Sequence, residues 1–148
     1  MTDASASGMA PEENKAVIRR FVEEVQNDKS EEAYDELNDP EFVNLSSPPG
    51  IPADREGGKV FLFGFLNAFP ECRFTIDDMI AEGDRVVTKK TFRGTHEGEF
   101  AGIPPTGKTV ELQFVDIMRV RNGRIVEHWN CIDQLSFMQQ LGVIPAPS

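Results

Sequence analysis

The chain has 148 residues, 39% of them hydrophobic and 27% charged, with a formal net charge of −10. That length supports a single domain with a real core. An acidic balance with no basic patch argues against nucleic acid and anionic membrane surfaces as partners. Two cysteines, Cys72 and Cys131, set no disulfide framework and read as reduced, small hydrophobes. Met1–Ala10 lacks the basic and apolar regions of a signal peptide, and no apolar run approaches the ~18 residues that span a bilayer. The expected location is the cytoplasm, with no membrane partner.

In chain order, residues 1–11 read as a disordered tail, 12–143 as one domain and 144–148 as a loose end. Pro11-Glu12-Glu13 looks like a helix start, and Val17, Ile18, Phe21, Val22 and Val25 recur at helical spacing, so helix one is expected from about Glu12 to Gln26. Ser30 can cap a second, short helix through Ala33, Tyr34 and Leu37. Tyr34, the only tyrosine, is a candidate pocket residue. Asp39-Pro40 ends that helix, and Glu41–Leu45 reads as a short strand. The Pro- and Gly-rich loop Ser46–Asp54 suits a rim or a plain connector. Arg55–Ala68, with Phe61, Phe63, Phe65 and Leu66, is apolar on most sides and should be a buried third helix.

Four long strands follow: Cys72–Ala81, Arg85–His96, and a pair on either side of Arg121-Asn122-Gly123. Gln134–Leu141 reads as a closing helix, with Leu135, Met138 and Leu141 over one end of the sheet. An Asn-Gly between alternating apolar runs is a strong hairpin signal. Helices set apart from consecutive antiparallel strands mean α+β. The expected architecture is a cone: a curved antiparallel sheet wrapped around the N-terminal helices, with a mouth suited to a small hydrophobic molecule.

The hairpin register decides the chemistry. A two-residue Asn122-Gly123 loop pairs Arg121 with Arg124 and puts Asp116 on the face of Glu127 and Trp129. A three-residue turn with a glycine bulge pairs Val120 with Arg124 instead. One face then carries Leu112, Phe114, Asp116, Met118 and Val120 against Val126, His128 and Asn130, with Asp116 opposite His128. The other carries Val115 and Ile117 against Ile125, Glu127, Trp129 and Cys131. The bulged turn is favoured because it separates the acidic and bulky groups. Trp129 and its apolar row then mark the outer sheet face as the expected interface of a homodimer or higher homo-oligomer.

Several local strings carry a resemblance: Asn14-Lys15-Ala16-Val17 with Phe21, Phe69-Pro70, Ala81-Glu82-Gly83-Asp84-Arg85-Val86-Val87, Gly94-Thr95-His96-Glu97-Gly98, Gly102-Ile103-Pro104-Pro105-Thr106-Gly107, and Asn122-Gly123-Arg124-Ile125-Val126-Glu127-His128-Trp129. With the element order, they resemble the SnoaL-like polyketide cyclase family, within the cystatin-like α+β cone superfamily of nuclear transport factor 2. The resemblance spans roughly Glu13 to Val143. It implies enzymes that use no metal and no cofactor. It also implies an acid/base Asp directly after the His-Trp pair, assisted by a His on the neighbouring strand. Here those positions hold Asn130 and Asp116. Asn44 matches a polar pocket position.

Asn130 has no useful proton affinity, so the base must lie elsewhere. Asp116, set among apolar residues, has its pKa pushed up by desolvation and down again by pairing with His128; either way it is the expected base that takes a proton next to a carbonyl, with His128 or Asn130 bonding the enolate. Phe65, Phe114 and Met118 should line the cavity, and His96 its mouth. Two histidines far apart in sequence suggest no metal site. Two readings stay open: a cofactor-free aldol cyclase or isomerase acting on a polyketide-like ketone, and a non-catalytic binding or accessory protein of the same fold.

Overall fold

A computed structural model describes residues 3–146. Helix α1 spans Asp3–Arg20 and runs directly into a π-helical segment, Phe21–Asn27. The helix thus reaches back into the stretch read as a tail, with Pro11 inside it. Residues 1–2 and 147–148 lie outside the described residues. The wide π turn, with i→i+5 bonding, brings Phe21, Val25 and Gln26 onto one buried face. Helix α2 is Glu31–Leu37, capped by Ser30 Oγ, which accepts from the Ala33 amide at 3.0 Å. Helix α3 is Arg55–Ala68, capped by the Asp54 carboxylate on the Gly57 amide. Helix α4 is Gln134–Leu141, closed by Gly142 in the left-handed region.

The five strands are β1 (Asn38–Asn44), β2 (Arg73–Glu82), β3 (Arg85–Thr95), β4 (Thr109–Arg121) and β5 (Arg124–Ile132), in the order β1-β5-β4-β3-β2. β1 joins the edge of the antiparallel set and runs parallel to β5, pairing Asn44 with His128. It starts earlier than the sequence suggested and contains Pro40, which an edge strand tolerates. The fold is the expected α+β cone.

The hairpin differs from the favoured register. Arg121 pairs with Arg124, and Asn122 (φ 52°) and Gly123 (φ 76°) form a two-residue loop of the type that needs two positive φ angles. A bulge lies further along. The pairing steps from Val120 with Ile125 to Arg119 with Glu127, which leaves Val126 as the extra residue. That insertion inverts the facing of everything after it. His128 and Asn130 therefore share the inner face with Asp116, as expected, but Asp116 pairs with Asn130 and Met118 with His128. Ile125, expected on the outer face, is fully buried. Replacing Gly123 by Ala should cost about 1 kcal/mol through strain at positive φ, read as a lower urea midpoint with an unchanged m-value.

The core fills the concave side of the sheet. Phe65, Phe69, Phe74 and Phe92 form a run of rings with centroids 4.9–5.3 Å apart. Phe137 and Leu141 of α4 close one end, whereas Leu135, expected there, is 61% exposed. On the convex face Trp129 remains 40% exposed beside Val115. Among the described residues, no helix is long and apolar enough to cross a membrane.

Candidate active site

The concave sheet and α3 leave a cavity of about 420 Å³ between them. Its apolar lining comes from Phe61 and Phe65 of α3, Phe74, Phe114 and Met118 of the sheet, and Phe100 of the loop after β3. Its polar wall is built by strand pairing. Asn44 sits beside His128 across β1–β5, and Asp116 beside Asn130 across β4–β5. Of the residues singled out in the sequence, Tyr34, Asn44, Phe65, Phe114, Asp116, Met118, His128 and Asn130 line the cavity.

His96 does not. It is fully buried, stacked on Phe69 with centroids 5.3 Å apart, and its Nδ1 accepts from the Thr106 amide at 3.2 Å. It ties the two ends of the loop 97–107 together, since its amide also donates to the Lys108 carbonyl. A residue at the foot of a loop reads, in sequence, much like one at a cavity mouth.

Asp116 is the centre of the polar wall, and its side chain is 1% exposed. His128 Nε2 lies 2.8 Å from its Oδ1. Lys90 Nζ, equally buried, lies 2.5 Å from its Oδ2. Lys90 also donates to Gln26 Oε1 at 3.0 Å and sits 5.3 Å from the centre of the Phe74 ring. Burial alone would push the Asp116 carboxyl up, but the Lys90 ammonium and His128 outweigh it and hold the carboxyl down, at about 2. Of the two opposed effects the sequence offered, pairing wins, with Lys90 as an added partner, and this overturns the expectation of Asp116 as the base. The group is a fixed carboxylate, too weakly basic and too fully paired to take a proton from carbon.

An ionised carboxylate can only accept hydrogen bonds. Nε2 of His128 must therefore carry the hydrogen in the Asp116 bond, and in the neutral ring Nδ1 holds the lone pair. His128 keeps 19% of its side chain exposed on the cavity. The pair has the geometry of a carboxylate orienting an imidazole base.

The remaining polar groups are partly committed. Asn44 Oδ1 accepts from the Ser46 amide at 3.0 Å, and Ser46 Oγ accepts from the Asn130 amide at 3.0 Å, so the start of the loop 46–54 is anchored to the site. The Asn130 side-chain amide faces the cavity with its backbone held. Tyr34 Oη donates to the Arg55 carbonyl at 3.0 Å, and burial raises its phenol well above the usual range. It is a packing and polar-lining group, not a proton donor near neutrality. Among the described residues, no group of three or more His, Cys, Asp or Glu side chains could hold a metal ion.

Lys90 and Gln26 were missed in the sequence. A signal existed for Lys90: the alternation Val86, Thr88, Lys90, Phe92 along β3 puts it on the apolar row. Gln26 had a weaker one: it follows Val22 by four residues and Ile18 by eight, at the edge of the apolar face of helix one.

A cone with an apolar cavity and one polar wall defines a class of small-molecule proteins rather than a single activity. Within that class the chain belongs to the SnoaL-like polyketide cyclase family, whose model matches residues 16–141. It is similar to aklanonic acid methyl ester cyclase AcmA of Streptomyces galilaeus, 26% identical over 136 residues that cover 88% of this chain and 91% of AcmA. Among solved structures it is similar to IdmH from Streptomyces antibioticus, at 36% identity and a TM-score of 0.76, covering 87% of this chain and 98% of that one. It is also similar to TsrD from Streptomyces laurentii, at 25% identity and a TM-score of 0.80, covering 89% and 96%.

Proposed function

We propose that this protein is a polyketide cyclase that closes a ring by an intramolecular aldol reaction, with His128 as the base. The observation that carries this reading is the His128–Asp116 hydrogen bond at 2.8 Å on the wall of an apolar cavity. Nδ1 of His128 takes a proton from the carbon next to a ketone. The enolate oxygen is stabilised by the Asn130 side-chain amide. The carbanion attacks a second carbonyl of the same substrate, forming one carbon–carbon bond, and the resulting alkoxide recovers the proton from the imidazolium. No atom is lost, so product and substrate have equal mass and no cofactor is consumed. Asp116 stays ionised throughout and orients the ring.

Membership of the family and the name of AcmA support the cyclase class. The aromatic lining supports a flat, hydrophobic ketone as substrate. A second reading rests on Asn130. It stands where the resemblance implies an acid/base Asp, and it would suit a protein that binds such a ketone without turning it over.

A screen against multi-ring aromatic β-keto esters separates the two readings. Binding at a hundredfold excess over the dissociation constant stabilises the fold by about 2.7 kcal/mol, seen as a higher melting temperature. Stabilisation together with a new product of unchanged mass supports the cyclase. Stabilisation with recovered substrate supports the binding protein. If none of these ketones shifts the melting temperature, both readings fail.

A further inference from the structure

The buried Lys90 has no part in the proton transfer itself, yet it is the most costly feature of the site. An ammonium removed from water to this degree persists only where strong partners meet it. Three elements converge to supply them: Gln26 from the π-helical segment, Phe74 from β2 and Asp116 from β4. Lys90 does not line the cavity; Asp116 stands between it and His128. The order Lys90, Asp116, His128, then cavity is a line of alternating partners pointing at the substrate space.

We propose that Lys90 is a positioning residue whose ammonium balances the Asp116 charge, so that His128 meets a neutralised carboxylate rather than a free buried anion. This rests on the reading of His128 as base. A lone buried carboxylate at 2.8 Å would hold the imidazolium tightly and keep the ring protonated, which makes it useless for taking a proton. With Lys90 on Oδ2, Asp116 still orients the ring through Oδ1 but contributes little net charge. The other groups around His128 leave this balance alone. Asn44 on β1, Asn130 on β5 and Gln134 on α4 are neutral, and Tyr34 across the cavity is bonded to a carbonyl. Arg119 and Glu127 pair with each other on the opposite sheet face.

The test is the titration of His128 by NMR in the intact protein, assigned by loss of its signal in His128→Gln. Lys90→Met should move the His128 midpoint upward by about one pH unit or more. Lys90→Arg should keep it near the wild-type value. The double variant Lys90→Met with Asp116→Asn removes both charges and should cancel the upward move. Should Lys90→Met fail to fold, Lys90→Gln carries the same expectation, since it can bond Asp116 and Gln26 without a charge. An unchanged or lowered midpoint in the uncharged single variant overturns the proposal and leaves Lys90 a structural cation. None of these titrations needs turnover, so they stand or fall separately from the cyclase reading. Where turnover is found, the acid limb of the rate profile should move with the midpoint.

Discussion

His128→Gln should lower the ring-closure rate by about 10² to 10⁴-fold, the usual contribution of a positioned acid/base group. The substrate should still bind within a few-fold of its wild-type affinity. Most of the lining is apolar, and His128 is one of many residues that form the cavity wall. Glutamine preserves a hydrogen bond to Asp116 but has no nitrogen lone pair that takes a proton near neutrality. Rates measured under saturating substrate, with binding followed by thermal shift, separate the two effects. Undiminished turnover would remove His128 from the chemistry and return attention to the cavity as a binding site.

Asp116→Asn should be the most destabilising single change in the site. It leaves the Lys90 ammonium, 1% exposed, without its carboxylate. Breaking one partner of a buried pair costs about 3–5 kcal/mol, measurable as a drop in the urea midpoint. The wild type should also show a specific acid sensitivity. The folded Asp116 carboxyl titrates at about 2 against an ordinary 3.8, so the folded state favours the ionised form. That contribution is present above about pH 4 and is lost as the pH falls from there toward 2. Asp116→Asn should flatten this part of the stability profile. If instead the variant is as stable as the wild type and keeps the same acid dependence, Lys90 and Asp116 are not the coupled pair their distance implies.

Local chemistry determined much of this protein from the sequence alone. Ser30 and the apolar spacing of Arg55–Ala68 and Gln134–Leu141 mark their helices because capping and amphipathicity act within a few residues. Asn122-Gly123 specifies a hairpin because both residues accept positive φ. Even the sharing of one face by Asp116, His128 and Asn130 was legible, although for a different reason from the true one. The expected bulge lay in the turn, whereas the actual one is at Val126, and either insertion restores the same facing.

What the tertiary structure decided is the chemical character of that face. In sequence, Asp116 among Phe114 and Met118 reads as a carboxyl pushed up by desolvation and down by His128, with the balance left open. In the fold, Lys90, 26 residues before Asp116 in the chain, arrives beside it, held by Gln26 a further 64 residues back, and together with His128 it decides the sign. Desolvation can be anticipated from neighbouring residues, because strand alternation puts apolar groups on the same row. The charge that compensates it acts through space at about 3 Å, so it depends on sheet order and on one π turn. Neither of those is written in any local run of residues.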